Sequence, residues 1–426
     1  MNDKYNIVNK KNYFLLIFFI ILSVVAILRI FDNALQLDSW QYGEWLINYQ
    51  NGFVRRGLFG EAIYQISKIF NNNLQITFII IISAVVVFYY YLNYQLVKNI
   101  KHNYVTYLII FSPLFYLFFI VISKIGIKKE LILYIYYLIY LISLSSVNFK
   151  IKKNWKFILV FPFLLLNHEG HFFYLPYIVI PLLFLIKKNE IKILLYQTML
   201  LLIISSITML LLYNFKGTGE HTLIICESLK QYVPAKCDWW GPIAGLKTDI
   251  SISRAGSYLE SNIVNKSIIE GNYYFYIFNE PFTYVKFIFY ISYAFLPLYL
   301  FLKSFSFKKN YFFNDRKNYL PIYLIVFAFS LPLFHLAEDW SRWFSIHFHL
   351  TALLTFFLIK KKIVHIKEII IFKRINEYLF NKKNLKFFIL CLFLYSTMFH
   401  HHHFFWKGVE LKFTYYKFYE KITNNY

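Results

Sequence analysis

Long apolar runs, separated by short polar connections, are the feature that most constrains the fold of this chain. With 58% hydrophobic residues and a mean hydropathy of +0.48, the 426-residue chain has more apolar surface than a soluble core of that size can bury. We therefore expect an all-α, polytopic membrane protein made of one integral-membrane domain. About eleven runs can cross a bilayer as helices or as short broken helices: 13–31, 75–97, 103–122, 130–147, 157–167, 172–186, 193–214, 281–302, 319–337, 344–360 and 386–399.

Basic residues are concentrated in alternate connections between these runs. Six connections or ends hold 26 of the 45 Lys and Arg but only 5 of the 22 Asp and Glu, which is +21 of the net charge of +23. They are 1–12, 98–102, 148–156, 187–192, 303–318 and 360–386. Short basic loops resist translocation and meet anionic lipid, so they mark the cytoplasmic face. This predicts a cytoplasmic N-terminus, outer loops at 32–74 and 215–280, and no nucleic-acid partner.

Two segments and three cysteines refine this topology. Segment 57–70 has apolar residues at helical spacing and is predicted to lie in the outer interface as a helix. Segment 360–386 alternates Lys with Ile and Phe and is predicted to be an amphipathic segment at the cytoplasmic lipid surface. Cys226 and Cys237 lie in the same outer loop and are candidates for a disulfide; a zinc pair lacks further ligands at structural spacing. Cys391 lies in an apolar run and is expected to pack as a small hydrophobe.

The first outer loop holds adjacent arginines between a glycine turn and the interfacial segment. Arg55 and Arg56 would lie at headgroup depth, where a lipid-linked phosphate arrives, and guanidinium groups bind phosphate oxygens in pairs. A helix that begins near Gly57 would add backbone amide donors. The alternative is that both arginines anchor a helix to lipid headgroups.

A second polar cluster, at 167–171, lies at the outer end of two short apolar runs. Ionisable side chains near the bilayer boundary are costly unless they pair or function. His168 can act as a base near neutral pH, and Glu169 can orient a hydroxyl group. A solvated turn would explain the same residues. His168 and His171 have the spacing to share a metal, but no third ligand is identifiable.

A third cluster, at 338–343, and a basic turn, at 124–130, complete the polar groups predicted on the outer face. In the third cluster a carboxylate (Asp339) and a guanidinium (Arg342) flank an aromatic ring, as in a sugar-phosphate site, although Asp339 and Arg342 can also pair with each other on one helix face. The basic turn contains Lys128 and Lys129. It is either an anion-binding turn or a sign that the topology differs locally from the charge rule.

Motifs that are missing narrow the function further. The sequence shows no Gly-rich nucleotide loop, no GxSxG, no HExxH and no paired DxD motif, so a substrate would have to be presented within the membrane. Charged residues are nearly absent from the middle of the apolar runs, which argues against an ion-coupled transporter.

An aromatic-rich polytopic chain with a large late outer loop and outer-loop arginines resembles the Wzy-type O-antigen or capsule polymerases. More broadly, it is similar to the C-fold integral-membrane glycosyltransferases, which use polyprenyl-linked donors. In that family an acidic residue of the first outer loop acts as base or metal ligand, and Asp38 and Glu44 match it. The outer arginines of the polymerases are matched by Arg55, Arg56 and Arg342.

The resemblance implies glycosyl transfer on the outer face of a bacterial inner membrane, between undecaprenyl-linked oligosaccharides as donor and acceptor. The implied partners also include membrane lipid and a chain-length regulator protein, and no cofactor or metal is indicated. The expected catalytic residues are Asp38, Glu44, His168, Glu169 and Asp339. The expected substrate-binding residues are Arg55, Arg56, Lys128, Lys129, Arg342, Trp40 and Trp340. Two alternatives stay open: a polyprenyl-phosphate-sugar-dependent transferase that adds one sugar, and a lipid-linked oligosaccharide flippase.

Overall fold

A computed structural model describes the chain over residues 2–35, 39–98, 100, 104–116, 127–146, 149, 151–186, 190–230, 242–246, 281–303, 305–307, 319–336, 340–366, 374, 377–378, 384–397, 400–401 and 409–410.

These residues form mainly α-helices, as the sequence predicts. In chain order the α-helices are α1 (Asn2–Leu35), α2 (Ser39–Leu46), α3 (Leu58–Ile69), α4 (Leu74–Val97), α5 (Tyr104–Ile110), α6 (Glu130–Leu144), α7 (Trp155–Asn167), α8 (Pro176–Leu183), α9 (Ile191–Asn214), α10 (Gly219–Leu229), α11 (Pro281–Lys303), α12 (Tyr319–Leu336), α13 (Trp340–Lys360) and α14 (Leu385–Thr397). Short 3-10 helices occur at Ile151–Asn154, Glu169–Tyr174 and Ala244–Leu246. Strand β1 (Phe305–Phe307) pairs antiparallel with β2 (Val364–Ile366), and β3 (His400–His401) pairs antiparallel with β4 (Val409–Glu410).

Several helices are apolar enough to cross a membrane. Within the described residues, four helical stretches have both the length and the composition for a span: Tyr13–Asp32, Leu74–Val97, Ile191–Asn214 and Ser341–Lys360. Shorter apolar helices occupy Glu130–Leu144, Trp155–Asn167, Ile288–Leu302, Tyr323–Phe334 and Lys386–Ser396. The helices agree with a membrane protein, while the number of eleven spans and their orientation stay predictions.

Helices α6 and α13 form the centre of the bundle. Only Ile139 of α6 is exposed, and from Ser341 onward α13 has no exposed residue. A helix that is apolar all round belongs in the interior, and these two pack against each other. Helix α1 lies at the periphery, because its buried residues recur every three or four positions along one stripe while large apolar side chains cover its other faces. The stripe consists of Leu15, Phe19, Leu22, Ala26 and Ile30.

One end of the bundle carries lysines that bond to the ends of neighbouring helices. The amine of Lys360 donates to the backbone carbonyl of Gln95, and the amine of Lys361 donates to that of Ser146 at 3.0 Å. We call this the lysine end. The β1–β2 pair lies there too, because β2 follows α13 closely. It joins two connections that were predicted to be cytoplasmic.

Part of the segment 360–386 differs from the prediction of an amphipathic surface segment. Val364–Ile366 is a strand, since β-branched residues suit an extended backbone and β1 offers a partner. Most of the remaining segment lies outside the described residues.

The two short runs at 157–186 form a helical hairpin, as predicted. Helix α7 ends at Asn167 because His168 adopts an extended backbone, with φ −161° and ψ 115°. The 3-10 helix Glu169–Tyr174 makes the turn, and Pro176 opens α8 at a position where its missing amide costs no hydrogen bond. The hairpin tip is therefore a compact turn that points towards the end of the bundle opposite the lysines.

The segment 57–70, which was predicted to be a helix, contains α3. It buries Gly60 and Ile63 and exposes Ile66 and Ile69. A side-chain carbon at Gly60 would lie 1.9 Å from the carbonyl oxygen of Ile47, so only glycine permits this close packing. The contact fixes α3 against the chain that follows α2.

Candidate functional site

Nine ionisable side chains from five separate segments meet at the end of the bundle opposite the lysine end. We call them the charged cluster: Glu44, Arg55, Arg56, Lys128, Lys129, Glu130, His168, Glu169 and Arg342. They come from α2, the loop before α3, the turn before α6, the tip of the α7–α8 hairpin and the first turn of α13. These residues belong to four clusters that are distant in sequence, and the structure brings parts of all four together.

Glu44 lies at the centre of the cluster. Its side chain is 1% exposed, and its carboxylate oxygens lie 2.8 Å from the amine of Lys128 and 3.3 Å from the guanidinium of Arg342. Burial alone would raise the pKa of Glu44, but the charges of Lys128 and Arg342 hold it well below its usual value. Glu44 is therefore a carboxylate at neutral pH.

The neighbouring Trp45 explains how the turn at 127–130 reaches Glu44. The indole of Trp45 is fully buried and its Nε1 donates to the carbonyl of Ile127 at 2.7 Å. This bond holds the turn against α2, so that Lys128 faces Glu44. Lys128, one lysine of the basic turn at 124–130, is thus paired with a carboxylate inside the fold.

Arg342 connects Glu44 with Glu130. Its NH2 group donates to Oε1 of both carboxylates, and the three side chains are buried. Glu130 is the first residue of α6, where the partial positive charge of a helix N-terminus favours a carboxylate. Arg342 lies near the N-terminus of α13, where a cation is unfavourable, and the two carboxylates offset that cost.

The two adjacent arginines share Glu169. Arg56 approaches it with two nitrogens, its Nε lying 2.8 Å from Oε2, and Arg55 contributes NH1 at 3.2 Å from Oε1. Burial would raise the pKa of Glu169, but the charge and hydrogen bonds of Arg56 hold it well below its usual value. The arginines and Glu169 therefore form one ion-paired group.

Arg55 and Arg56 nevertheless differ in how they are held. The remaining nitrogens of Arg55 donate to the carbonyls of Lys216 and Gly245, so this side chain also ties two loops together. Arg56 keeps 25% of its side chain exposed and has a φ of +64°. A left-handed backbone is unusual for a residue other than glycine and occurs at functional sites, where the surrounding fold compensates its cost. Arg56 is the arginine better placed to meet a ligand.

Lys129 is a fully buried amine within this group of charges. Its Nζ donates to the backbone carbonyl of Arg56 at 2.6 Å. Burial lowers the pKa of Lys129 to about 7, although the charge of Glu44 opposes the shift. Near neutral pH this amine can therefore both accept and release a proton.

His168 is oriented by its own turn. Its Nδ1 accepts a hydrogen bond from the backbone N–H of Gly170 at 3.0 Å, which places the proton of the neutral ring on Nε2. That nitrogen lies 3.8 Å from Oε1 of Glu44. Burial, assisted by the charge of Arg56, lowers the pKa of His168 well below its usual value. The ring is therefore neutral at physiological pH.

Some predicted residues cannot be placed in the cluster. Asp38 and Asp339 lie outside the described residues, so the predicted pairing of Asp339 with Arg342 is not tested. Trp40 lies in α2 and Trp340 is the first residue of α13, each close in sequence to a cluster residue. Cys226 is disulfide-bonded, and its predicted partner, Cys237, lies outside the described residues.

One member of the cluster had no predicted role. Glu130 was part of the basic turn, but its pairing with Arg342 joins residues 212 positions apart. The sequence did carry a signal for Glu130, since a carboxylate at the first position of an apolar helix is unusual unless it is paired.

Within the described residues, no group of three or more His, Cys, Asp and Glu has the arrangement of a metal site.

The cluster can bind an anion and can move a proton. Guanidinium and ammonium groups supply donors for phosphate oxygens, and the pKa of Lys129 lies near neutral pH.

No protein-family model matches this chain, and comparison with curated proteins and with solved structures gave no significant match.

Proposed function

We propose that this protein is a membrane glycosyltransferase that uses an undecaprenyl-phosphate- or undecaprenyl-pyrophosphate-linked sugar and that it polymerises oligosaccharide repeat units on the outer face of a bacterial inner membrane. The observation that carries the proposal is the gathering of basic side chains in the charged cluster. Among the described residues, five basic side chains and three carboxylates meet in a largely buried group at one end of an apolar helix bundle.

A buried cation is costly unless a negative charge faces it. A phosphate or pyrophosphate supplies negative charge, and its oxygens match the paired donors of a guanidinium. Arg56, which keeps part of its side chain exposed, would make the first contact with it. Arg342 would contribute from the opposite side of Glu44.

The depth of the cluster suits a lipid-linked substrate. Helix α6 begins at Glu130 and runs towards the lysine end for 15 residues, a rise of about 21 Å. This is less than the hydrocarbon thickness of a bilayer, which is about 30 Å. With the lysine end at one lipid boundary, the cluster would lie about 9 Å inside the other, a depth that a substrate carried on a polyprenyl chain within the membrane can reach.

The proposed reaction breaks the bond between the sugar C1 and the phosphate oxygen of the donor. The electron pair remains on the phosphate, whose developing charge Arg56 and Arg342 stabilise. An acceptor hydroxyl forms the new bond to C1 and loses its proton to a base. Lys129 has the pKa best matched to neutral pH among the described residues of the cluster, since Glu169 and Glu44 are held in ion pairs.

A deletion strain tests the proposal through the gel profile of its surface polysaccharide. Deletion should reduce the ladder to a single repeat, and the wild-type gene should restore it, whereas Arg56→Ala and Arg342→Ala should not restore it at equal membrane levels. Lys230→Ala is the control, because Lys230 belongs to an exposed pair with Glu227 outside the cluster.

Other ladder patterns would change the conclusion. A full ladder whose bands have a lower mass in the deletion strain would indicate a transferase that adds one sugar. A ladder unaffected by the deletion would contradict glycosyl transfer, and restoration by both arginine variants would remove the charged cluster from the mechanism.

A further inference from the structure

Beside the charged cluster, the tip of the α7–α8 hairpin buries polar atoms that have no hydrogen-bond partner among the described residues. They are both amide atoms of Asn167, Nε2 of His171 and the hydroxyl of Tyr174. These side chains are 2%, 1% and 1% exposed. Folded proteins rarely leave buried polar groups unpaired, because each one loses its bond to water without replacing it. Four such atoms within eight residues therefore require an explanation.

The local geometry places two of these groups on one face. His171 and Tyr174 are three residues apart in a 3-10 helix, which has about three residues per turn, so their side chains lie one above the other. The His171 ring lies 5.3 Å from that of His168, which in turn contacts Arg342. The Tyr174 ring packs 5.1 Å from that of His347. Arg342 is also close enough for its charge to act on both His171 and Tyr174.

The hydrogen-bonding character of these atoms identifies the class of ligand. Nδ1 of His171 lies 3.1 Å from the carbonyl of Leu164 and donates to it, so Nε2 carries a lone pair and can only accept. Burial lowers the pKa of His171 to about 4, which keeps the ring neutral. An acceptor of this kind does not bind a phosphate oxygen, which has no proton to donate. A hydroxyl group can donate to a lone pair such as that of Nε2 and can accept from an amide such as that of Asn167.

We propose that Asn167, His171 and Tyr174 bind hydroxyl groups of the sugar carried by the lipid-linked substrate. The inference rests on the proposed function and extends it, because it separates a neutral sugar subsite from the cationic phosphate site. The two subsites adjoin each other through His168 and Arg342. In such a donor the sugar ring is bonded directly to a phosphate. The sugar subsite and the phosphate site must therefore adjoin each other.

The experiment measures binding of two lipids to the purified full-length protein in detergent by native mass spectrometry. The probes are undecaprenyl pyrophosphate and undecaprenyl-pyrophosphoryl-N-acetylglucosamine, which both carry a pyrophosphate and differ in the sugar. The wild type should bind both and should prefer the sugar-bearing probe. Tyr174→Phe and Asn167→Leu should each weaken binding of the sugar-bearing probe about fivefold, the loss of one ordinary hydrogen bond, and leave binding of undecaprenyl pyrophosphate unchanged.

Tyr140→Phe is the matched control. The Tyr140 hydroxyl is equally buried but donates to the carbonyl of Ile178 at 2.8 Å, so its loss should lower the thermal unfolding temperature without changing the preference between the probes. Tyr174→Phe removes a hydroxyl that has no partner among the described residues, and the unfolding temperature of this variant should stay the same or rise. A structural role for the Tyr174 hydroxyl predicts the opposite.

Each outcome distinguishes the two proposals. Equal affinity of the wild type for both probes, or an unchanged preference in Tyr174→Phe and Asn167→Leu, would overturn the sugar subsite while the phosphate site stands; the unpaired atoms would then bind only water. Failure of the wild type to bind either probe would count against the proposed function and the sugar subsite together.

Discussion

The substitution Glu169→Gln gives the sharpest test of the paired arginines. Glutamine keeps the shape of the side chain but removes the charge that faces Arg55 and Arg56. An exposed ion pair contributes about 0–1 kcal/mol, whereas the removal of one partner from a fully buried pair costs about 3–5 kcal/mol. The side chains of Glu169 and Arg56 are 17% and 25% exposed, so this site lies between those limits. We expect a loss of about 2–3 kcal/mol in the free energy of unfolding.

The assay is denaturant unfolding of the detergent-solubilised protein, with and without inorganic pyrophosphate. The control is Glu227→Gln, which breaks an ion pair with Lys230 whose side chains are 61% and 60% exposed, and should change stability by less than about 1 kcal/mol. Pyrophosphate should stabilise Glu169→Gln more than the wild type, because the freed guanidinium groups regain an anionic partner. Equal stability of the two variants would refute the strength assigned to this ion pair. A pyrophosphate effect identical in wild type and variant would refute the anion site.

The pH dependence supplies an independent check on the same residue. The folded-state pKa of Glu169 lies below the unfolded value of about 4.5, so its contribution to stability is complete above that value and is lost as the pH falls through the folded-state pKa. The stability difference between wild type and Glu169→Gln should therefore be constant near neutral pH and shrink below about pH 4.5. A difference that persists unchanged in strong acid would exclude the ionised carboxylate as its cause.

Three further substitutions test other parts of the site. The pKa of Lys129 is about 7 in the folded state and 10.5 in the unfolded chain. Between these two pH values the unfolded chain binds more protons, so the free energy of unfolding should rise with pH. Lys129→Met should flatten that rise in unfolding measurements. Gly60→Ala places a side-chain carbon against the Ile47 carbonyl and should lower the free energy of unfolding by more than about 3 kcal/mol. Size-exclusion chromatography should show a loss of folded protein. Full recovery of folded protein would contradict the packing. Arg342→Lys keeps one charge but loses the guanidinium fork, so the polysaccharide ladder should shorten at equal protein level; an unchanged ladder would show that charge alone suffices.

The helices could be predicted from the sequence because hydropathy is a local property. The runs at 75–97 and 193–214 correspond closely to α4 and α9, and the two short runs predicted at 157–186 correspond to α7 and α8 with the turn between them. The strand Val364–Ile366 was missed because its partner, β1, is distant in sequence. An alternation of Lys with Ile and Phe fits a lipid-surface helix and an edge strand equally well.

The residues of the site were more predictable than their pairings. Arginines, lysines and carboxylates at the ends of apolar runs stand out because they are costly there. Their partners depend on helix packing, as with Lys128 and Glu44. Local spacing allows Arg342 to pair with Asp339, which lies outside the described residues, but it does not indicate the contacts of Arg342 with Glu44 and Glu130. Whether a buried atom is unpaired, as in Tyr174, follows only from the complete set of contacts.

The packing also gives a physical reason for the charge asymmetry along the chain. Outside the six basic connections, 19 basic and 17 acidic residues remain, a near balance. In the charged cluster, cations are in direct contact with carboxylates: Arg56 pairs with Glu169, and Lys128 pairs with Glu44. At the lysine end, Lys360 and Lys361 contact only backbone carbonyls among the described residues. A cation neutralised by a carboxylate does not hold its loop at an anionic lipid surface, and a cation without a carboxylate does. The basic turn before α6, whose Lys128 pairs with Glu44, is therefore compatible with its predicted outer position.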